Sequence, residues 1–124
     1  MPAPVGEVTL QTIAMPADSN ANGDIFGGWL MAQMDLGASV MARRRARGRV
    51  ATVAVDAMQF LKPVKIGDVV SIHAEMDHEG RSSMRISVEV WITRQPYGDR
   101  AKVTEAVFTF VAIDDDGRSR PLSA

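Results

Sequence analysis

The stretch Gly27–Arg47, GGWLMAQMDLGASVMARRRAR, constrains the fold of this chain more than any other segment. It contains no proline and is rich in Met, Leu and Ala. Leu30, Met34, Gly37 and Met41 fall at helical spacing, and Trp29, Leu36 and Val40 widen the apolar face. Arginines fill the last turn, and Gly48 stands where a helix C-cap glycine belongs. At 1.5 Å per residue the helix reaches about 30 Å, the width of a small domain. In a chain of 124 residues, a helix this long and this apolar is expected at the centre.

After Gly48 the apolar period changes from 3.6 to 2. Val50–Lys62 is rich in β-formers and ends at Pro63. In Val69–Glu79, Val70, Ile72, Ala74 and Met76 alternate with Ser71, His73, Glu75 and Asp77. In Met84–Arg94, Met84, Ile86, Val88, Val90 and Ile92 alternate with polar neighbours and Trp91, and Ala101–Ile113 reads as a further strand. Turns are expected at Lys65-Ile66-Gly67-Asp68, Glu79-Gly80-Arg81, Pro96-Tyr97-Gly98-Asp99 and Asp116-Gly117. Val5–Met15 makes a first strand, and Pro16–Asp24 is a loop on its turn chemistry. The order is strand, helix, then four strands. This predicts class α+β: one domain over residues 1–124, with an antiparallel sheet wrapped around one long central helix. Open sheet edges predict subunit pairing.

Composition narrows the function. A net charge of −1 provides no overall field for nucleic acid. The local cluster Arg43, Arg44, Arg45, Arg47 and Arg49 reads as a helix C-terminus matched to its dipole, or as a binding patch. The absence of cysteine removes disulfides, thiolate catalysis and Cys-ligated zinc. No secretory signal and no membrane-length apolar run is recognised, so the default expectation is a soluble cytoplasmic protein without a membrane partner. His73 and His78 lie five positions apart, with His73 on the polar face of its strand, and are expected at the surface rather than on a metal.

Asp35 is the residue that points to chemistry. It is the only charged side chain from Ile25 to Ala42, and a charge in so apolar a sequence is costly unless paired or used. Ser39, one turn on, is placed to hydrogen-bond it. The alternative is an aspartate facing solvent through a gap. The loop Asn20-Ala-Asn22-Gly-Asp24-Ile-Phe-Gly27-Gly28 runs into the helix start. There two glycines allow close backbone approach, and free N–H groups stabilise negative charge. For a thioester this is an oxyanion hole. An ordinary loop with Asp24 or Asn22 as N-cap reads equally well. Gly80-Arg81-Ser82-Ser83 and Gly117-Arg118-Ser119-Arg120 suit phosphate groups, or are plain surface turns. No nucleophile elbow, P-loop or dinucleotide fingerprint is present.

Several stretches together resemble the YciA-type acyl-CoA thioesterases of the hotdog superfamily. They are Met15–Gly37, Val53–Val64, Gly67-Asp-Val-Val, Gly80-Arg-Ser-Ser, Val88-Glu-Val-Trp, Val107–Ala112 and Gly117-Arg-Ser-Arg. The resemblance covers nearly the whole chain from about Leu10, in the same order. It implies the hotdog fold, hydrolysis of acyl-CoA to free acid and CoA, and no required cofactor, CoA being part of the substrate. It further implies dimers with a continuous sheet, commonly a trimer of dimers, and active sites at the dimer interface. By position the helix carboxylate is Asp35, the amide at the helix head is that of Gly27, and the loop asparagine is Asn20. Asn20 and Gly27 would come from one subunit and Asp35 from the other. Asp24 stands as the second candidate base and Ser39 as a supporting hydroxyl. Arg81, Ser82, Ser83 and Arg118, with Lys62, form the expected CoA-binding set. Related branches carry histidine before the double glycine, where this chain has Phe26, one hydrogen-bond donor fewer. Asp35 would act either as general base or as nucleophile. A hotdog hydratase or dehydratase, or a non-catalytic acyl-CoA sensor, are the alternatives. The first would need a catalytic histidine, and neither His73 nor His78 lies near the loop or helix in sequence.

Overall fold

A computed structural model describes residues 3–94 and 98–122. The elements are strand β1 (Glu7–Ile13), a short 3-10 turn at Pro16–Asp18, helix α1 (Gly27–Ala46), and strands β2 (Val50–Phe60), β3 (Val69–Glu79), β4 (Ser83–Arg94) and β5 (Asp99–Ala112). The strands form one sheet in the order β1-β3-β4-β5-β2, and every neighbouring pair is antiparallel. Helix α1 packs against all five strands. The expected turn at Pro96-Tyr97 lies outside the described residues.

The alternation read in β3 and β4 places the core. Val70, Ile72 and Ala74 of β3, with Met84, Ile86, Val88, Val90 and Ile92 of β4, are buried together with Phe108 and Phe110 of β5. From the helix, Leu30, Met34, Ala38 and Met41 complete the core at helical spacing. Gly37 is the point of closest approach. A Cβ there would stand 2.6 Å from Ile72 Cγ2 and 2.9 Å from Thr9 Oγ1, so only glycine lets helix and sheet meet.

Four expectations are corrected. The helix ends one residue early: Arg47, not Gly48, takes the left-handed turn at φ 55°. Leu36 and Val40 do not join the core. They are 54% and 44% exposed, on a helix face that lies uncovered in the single chain. His73 is not a surface residue. It is 7% exposed because the segment at Gly6 crosses β3 there, so close that a Cβ on Gly6 would sit 2.4 Å from the Ala74 carbonyl oxygen. Strand β2, finally, ends at Phe60. The Leu61 and Lys62 amides turn to donate to the Val103 carbonyl.

Strand β2 pairs with β5 and forms an edge of the sheet. Nearly all of it is exposed, including Val53 and Val55. Its register slips between Asp56 and Gln59, where Ala57 has φ 54°, the signature of a bulge. The uncovered apolar face of α1 and this edge strand form the open side of the molecule.

Candidate active site

Asp35 sits half-buried on the open side of α1, beside the exposed Leu36. Ser39 does not serve it: its hydroxyl donates to the Leu36 carbonyl at 2.7 Å. A Ser hydroxyl in a helix finds the carbonyl of the preceding turn closer than a side chain one turn back. The partner is Thr52 of β2, whose Oγ1 donates to Asp35 Oδ1 at 2.6 Å. Thr52 is absent from the sequence reading because the bond spans 17 positions and depends on tertiary placement.

At the head of the helix neither Asp24 nor Asn22 is the cap. Phe26 occupies the N-cap, and no side chain caps the terminus. The Trp29 and Leu30 amides reach back to the Phe26 carbonyl, at 3.1 and 3.3 Å. The first two amides, of Gly27 and Gly28, precede any intrahelical acceptor. They are the free donors that an oxyanion needs. The loop before them is tightly built. Asn20 Oδ1 accepts from the Asn22 and Asp24 amides at 2.9 and 3.1 Å, which fixes the side-chain orientation. Phe26 donates to the Asp18 carbonyl at 3.1 Å, and Ile25 to the Val64 carbonyl at 2.9 Å.

Asp24 forms an ion pair with Lys65, which ties this loop to the β2–β3 connection. That connection is anchored in turn by Asp68, 2% exposed, which accepts from Arg94 Nε and Nη2 at 2.9 and 2.8 Å and from the Lys65 amide at 2.9 Å. Burial alone would raise the Asp68 pKa, but Arg94 and the Lys65 amide outweigh it and hold the carboxyl below its ordinary range. An open cleft of about 340 Å³ lies beside Gly27, lined by Ile25, Leu30, Phe60, Leu61, Lys62, Pro63 and Val64. Among these residues only Lys62 was expected from the sequence to bind substrate.

The remaining expected residues stand at the other end of the sheet. Arg81 is exposed in the β3–β4 turn, where Gly80 donates to the Ser83 carbonyl at 2.8 Å. Two later segments meet that turn: Ala112, the last residue of β5, donates to the Ser82 carbonyl, and Leu122 donates to the Arg81 carbonyl. Arg118 is exposed in the turn after β5, and Arg120 Nη2 caps the helix by donating to the Ala46 carbonyl at 2.8 Å. Arg81, Ser82, Ser83 and Arg118 therefore gather at the C-terminal end of α1, whereas Gly27, Asn20, Asp24 and Lys62 gather at its N-terminal end. Of the arginine cluster, Arg44 pairs with Glu7 and Arg45 with Glu79, so neither is reserved for a ligand.

A family model described as the thioesterase superfamily matches residues 22–97, more than half of the chain. The chain belongs to this superfamily. Within it, the chain is 54% identical over 122 residues to the acyl-CoA thioester hydrolase YciA of Salmonella typhimurium, covering 96% of this chain and 92% of that one. It is similar to HI0827, a hexameric broad specificity acyl-coenzyme A thioesterase of solved structure. There the TM-score is 0.94 at 52% identity, over 99% of this chain and 85% of that one. It is also similar to an acyl-CoA hydrolase of Staphylococcus aureus solved with coenzyme A. The TM-score is 0.87 at 31% identity, over 93% of this chain and 69% of that one. The fold is accordingly the hotdog fold, as the resemblance implied. Its described residues form one α-helix on a five-stranded antiparallel sheet, and no helix among them is long and apolar enough to cross a membrane.

Proposed function

We propose that this chain hydrolyses acyl-CoA thioesters to the free acid and CoA, with Gly27 and Asp35 as its chemical centre. The observation that carries the reading is a pair of features on one helix: free amides at its head and a lone carboxylate held by Thr52. The Gly27 N–H donates to the thioester carbonyl oxygen and stabilises the charge that develops there. Asp35 takes a proton from water as the oxygen adds to the carbonyl carbon, or attacks that carbon itself to form an anhydride that water then opens. The C–S bond breaks in either route, and CoA leaves as a thiolate, a group good enough to leave without a dedicated acid. General-base action contributes roughly 10²–10⁴-fold and one oxyanion donor about 10²–10³-fold. Asp24, already paired with Lys65, serves to hold the loop.

The site is shared between two copies. Gly27 and Asp35 are eight positions apart on one helix, a rise of about 12 Å, too far for both to reach one thioester group. Two chains meeting antiparallel at β2 would bring the helix head of one towards the middle and tail of the other. The same pairing would bring Lys62 of one copy towards Arg81 and Arg118 of the next. It would also cover Met31, Val53 and Val55, on the side of the helix that faces β2. The Staphylococcus aureus hydrolase has been solved as an asparagine-to-alanine and as an aspartate-to-alanine mutant, and those two positions are separated in that chain as Asn20 and Asp35 are in this one. This spacing favours Asn20 as a member of the site. The enzyme acts in the cytoplasm as a dimer or a trimer of dimers and needs no cofactor. A thiol-release assay with acyl-CoA substrates tests the reading. Thiol release by the wild type, lost in a folded Asp35→Ala protein, is expected; an inactive wild type would overturn it.

A further inference from the structure

We propose that Phe60 is the residue that sets how long an acyl chain the site accepts, by walling the cleft beside Gly27. The inference rests on the thioesterase reading above and deepens it. The floor of the cleft is fixed: Ile25, Leu30 and Val64 are 7%, 3% and 1% exposed. Phe60, the last residue of β2, and Leu61, just beyond it, are 52% and 47% exposed in the single chain. The Phe60 ring leans on the helix head, its Cζ 3.3 Å from where a Cβ on Gly27 would stand. A carbonyl held by the Gly27 amide therefore has its acyl substituent beside this ring.

The chemistry of the lining identifies the occupant. The other portion of the substrate near the thioester is the pantetheine arm, whose two amides need hydrogen-bond partners when buried. The cleft has few donors left to give. The amides of Ile25, Leu30, Leu61 and Lys62 already donate to the carbonyls of Val64, Phe26, Val103 and Val103, and Pro63 has no N–H. Five of the other six lining side chains are apolar, and Lys62 is the one charge. An alkyl chain asks for nothing more.

Each methylene buried in the cleft is expected to raise kcat/KM about fourfold until the chain meets Phe60. The test is kcat/KM for straight-chain acyl-CoA substrates from acetyl to lauroyl, measured on the wild type, Phe60→Ala and Phe60→Trp, with fold and assembly checked by circular dichroism and size-exclusion chromatography. The ratio of long-chain to short-chain kcat/KM should rise at least tenfold in Phe60→Ala and fall in Phe60→Trp. If Phe60→Ala scales every substrate by one common factor, the cleft holds the CoA arm and the proposal is wrong. A ratio unmoved in either folded variant likewise overturns it. Either result leaves the thioesterase reading intact, whereas a wild type that releases no thiol from any substrate would sink that reading instead.

Discussion

Thr52 Oγ1 donates to Asp35 Oδ1 at 2.6 Å, a bond that joins the edge strand β2 to the middle of α1. It fixes one carboxylate oxygen and leaves the other for water or substrate. Asp35→Ala is expected to lower kcat at least about 10²-fold with the fold intact. Thr52→Val should lower kcat by about tenfold, the worth of one hydrogen bond to a charged group. Thr52→Ser should recover most of that loss, because the hydroxyl is what matters. Steady-state thiol release reads all three, and a fully active Thr52→Val protein would reduce the bond to a structural detail.

Mixing subunits tests the shared site. Asn20→Ala and Asp35→Ala proteins, each first shown to be impaired, should regain activity when co-assembled. A heterodimer of the two carries one intact site and one doubly altered site, so it is expected at about half the wild-type rate. Verified heterodimers no more active than their parents would put both residues in one subunit's site.

Arg81 is exposed in a turn at the C-terminal end of α1, and its side chain is free to meet a phosphate. Arg81→Ala should raise KM for acyl-CoA more than it lowers kcat, and the KM of the variant should depend less on salt than that of the wild type. An unchanged KM would return Arg81 to an ordinary surface turn.

Gly37→Ala sets two effects against each other. Alanine is the better helix former by about 1 kcal/mol. Its methyl would press on Ile72, fully buried and branched, at 2.6 Å, and overpacking of this kind costs about 1–3 kcal/mol. The clash wins, so a lower urea midpoint is expected; a midpoint above the wild-type value would show that helix and sheet can part without cost.

Acid should weaken the fold in two stages. Burial holds the His73 imidazole below its ordinary value of 6.5, while Glu89 and a backbone contact at Gly6 pull it up and Arg100 adds to the depression. The unfolded chain therefore takes up this proton first. The contribution of His73 is complete above about pH 6.5 and declines as pH falls through it. Asp68 and Glu89 are both held below their ordinary values, 3.8 and 4.5, although burial by itself would raise each. Their stabilisation is present above those values and is lost as pH drops through the lower, folded ones. Urea midpoints taken from pH 7 to pH 3 should fall in both ranges, and His73→Gln should flatten only the upper one.

The alternation in β3 and β4 was readable because each strand shows one face to the helix, so apolarity and burial coincide. That coincidence fails at the open side. Leu36 and Val40 are as apolar as core residues, yet what would cover them is not in the single chain. His73 fails in the opposite sense, a polar-face residue buried by a crossing segment far away in sequence. Asp35 stood out because a lone charge needs no partner to be noticed. Thr52 and Phe60 were invisible because their significance comes only from the strand pairing that sets them beside α1.

That pairing also orders the birth of the molecule. Strand β2 leaves the ribosome directly after the helix, but it pairs with β5, which is made only after β3 and β4. At ordinary rates of synthesis, about 5–20 residues per second, β2 waits several seconds with both of its backbone edges bare. Until β5 is made, β2 has no strand to pair with, and Thr52, which stands opposite Phe110 in the finished sheet, has nowhere to dock. The hydroxyl that steadies Asp35 is made well before the strand that holds it in place.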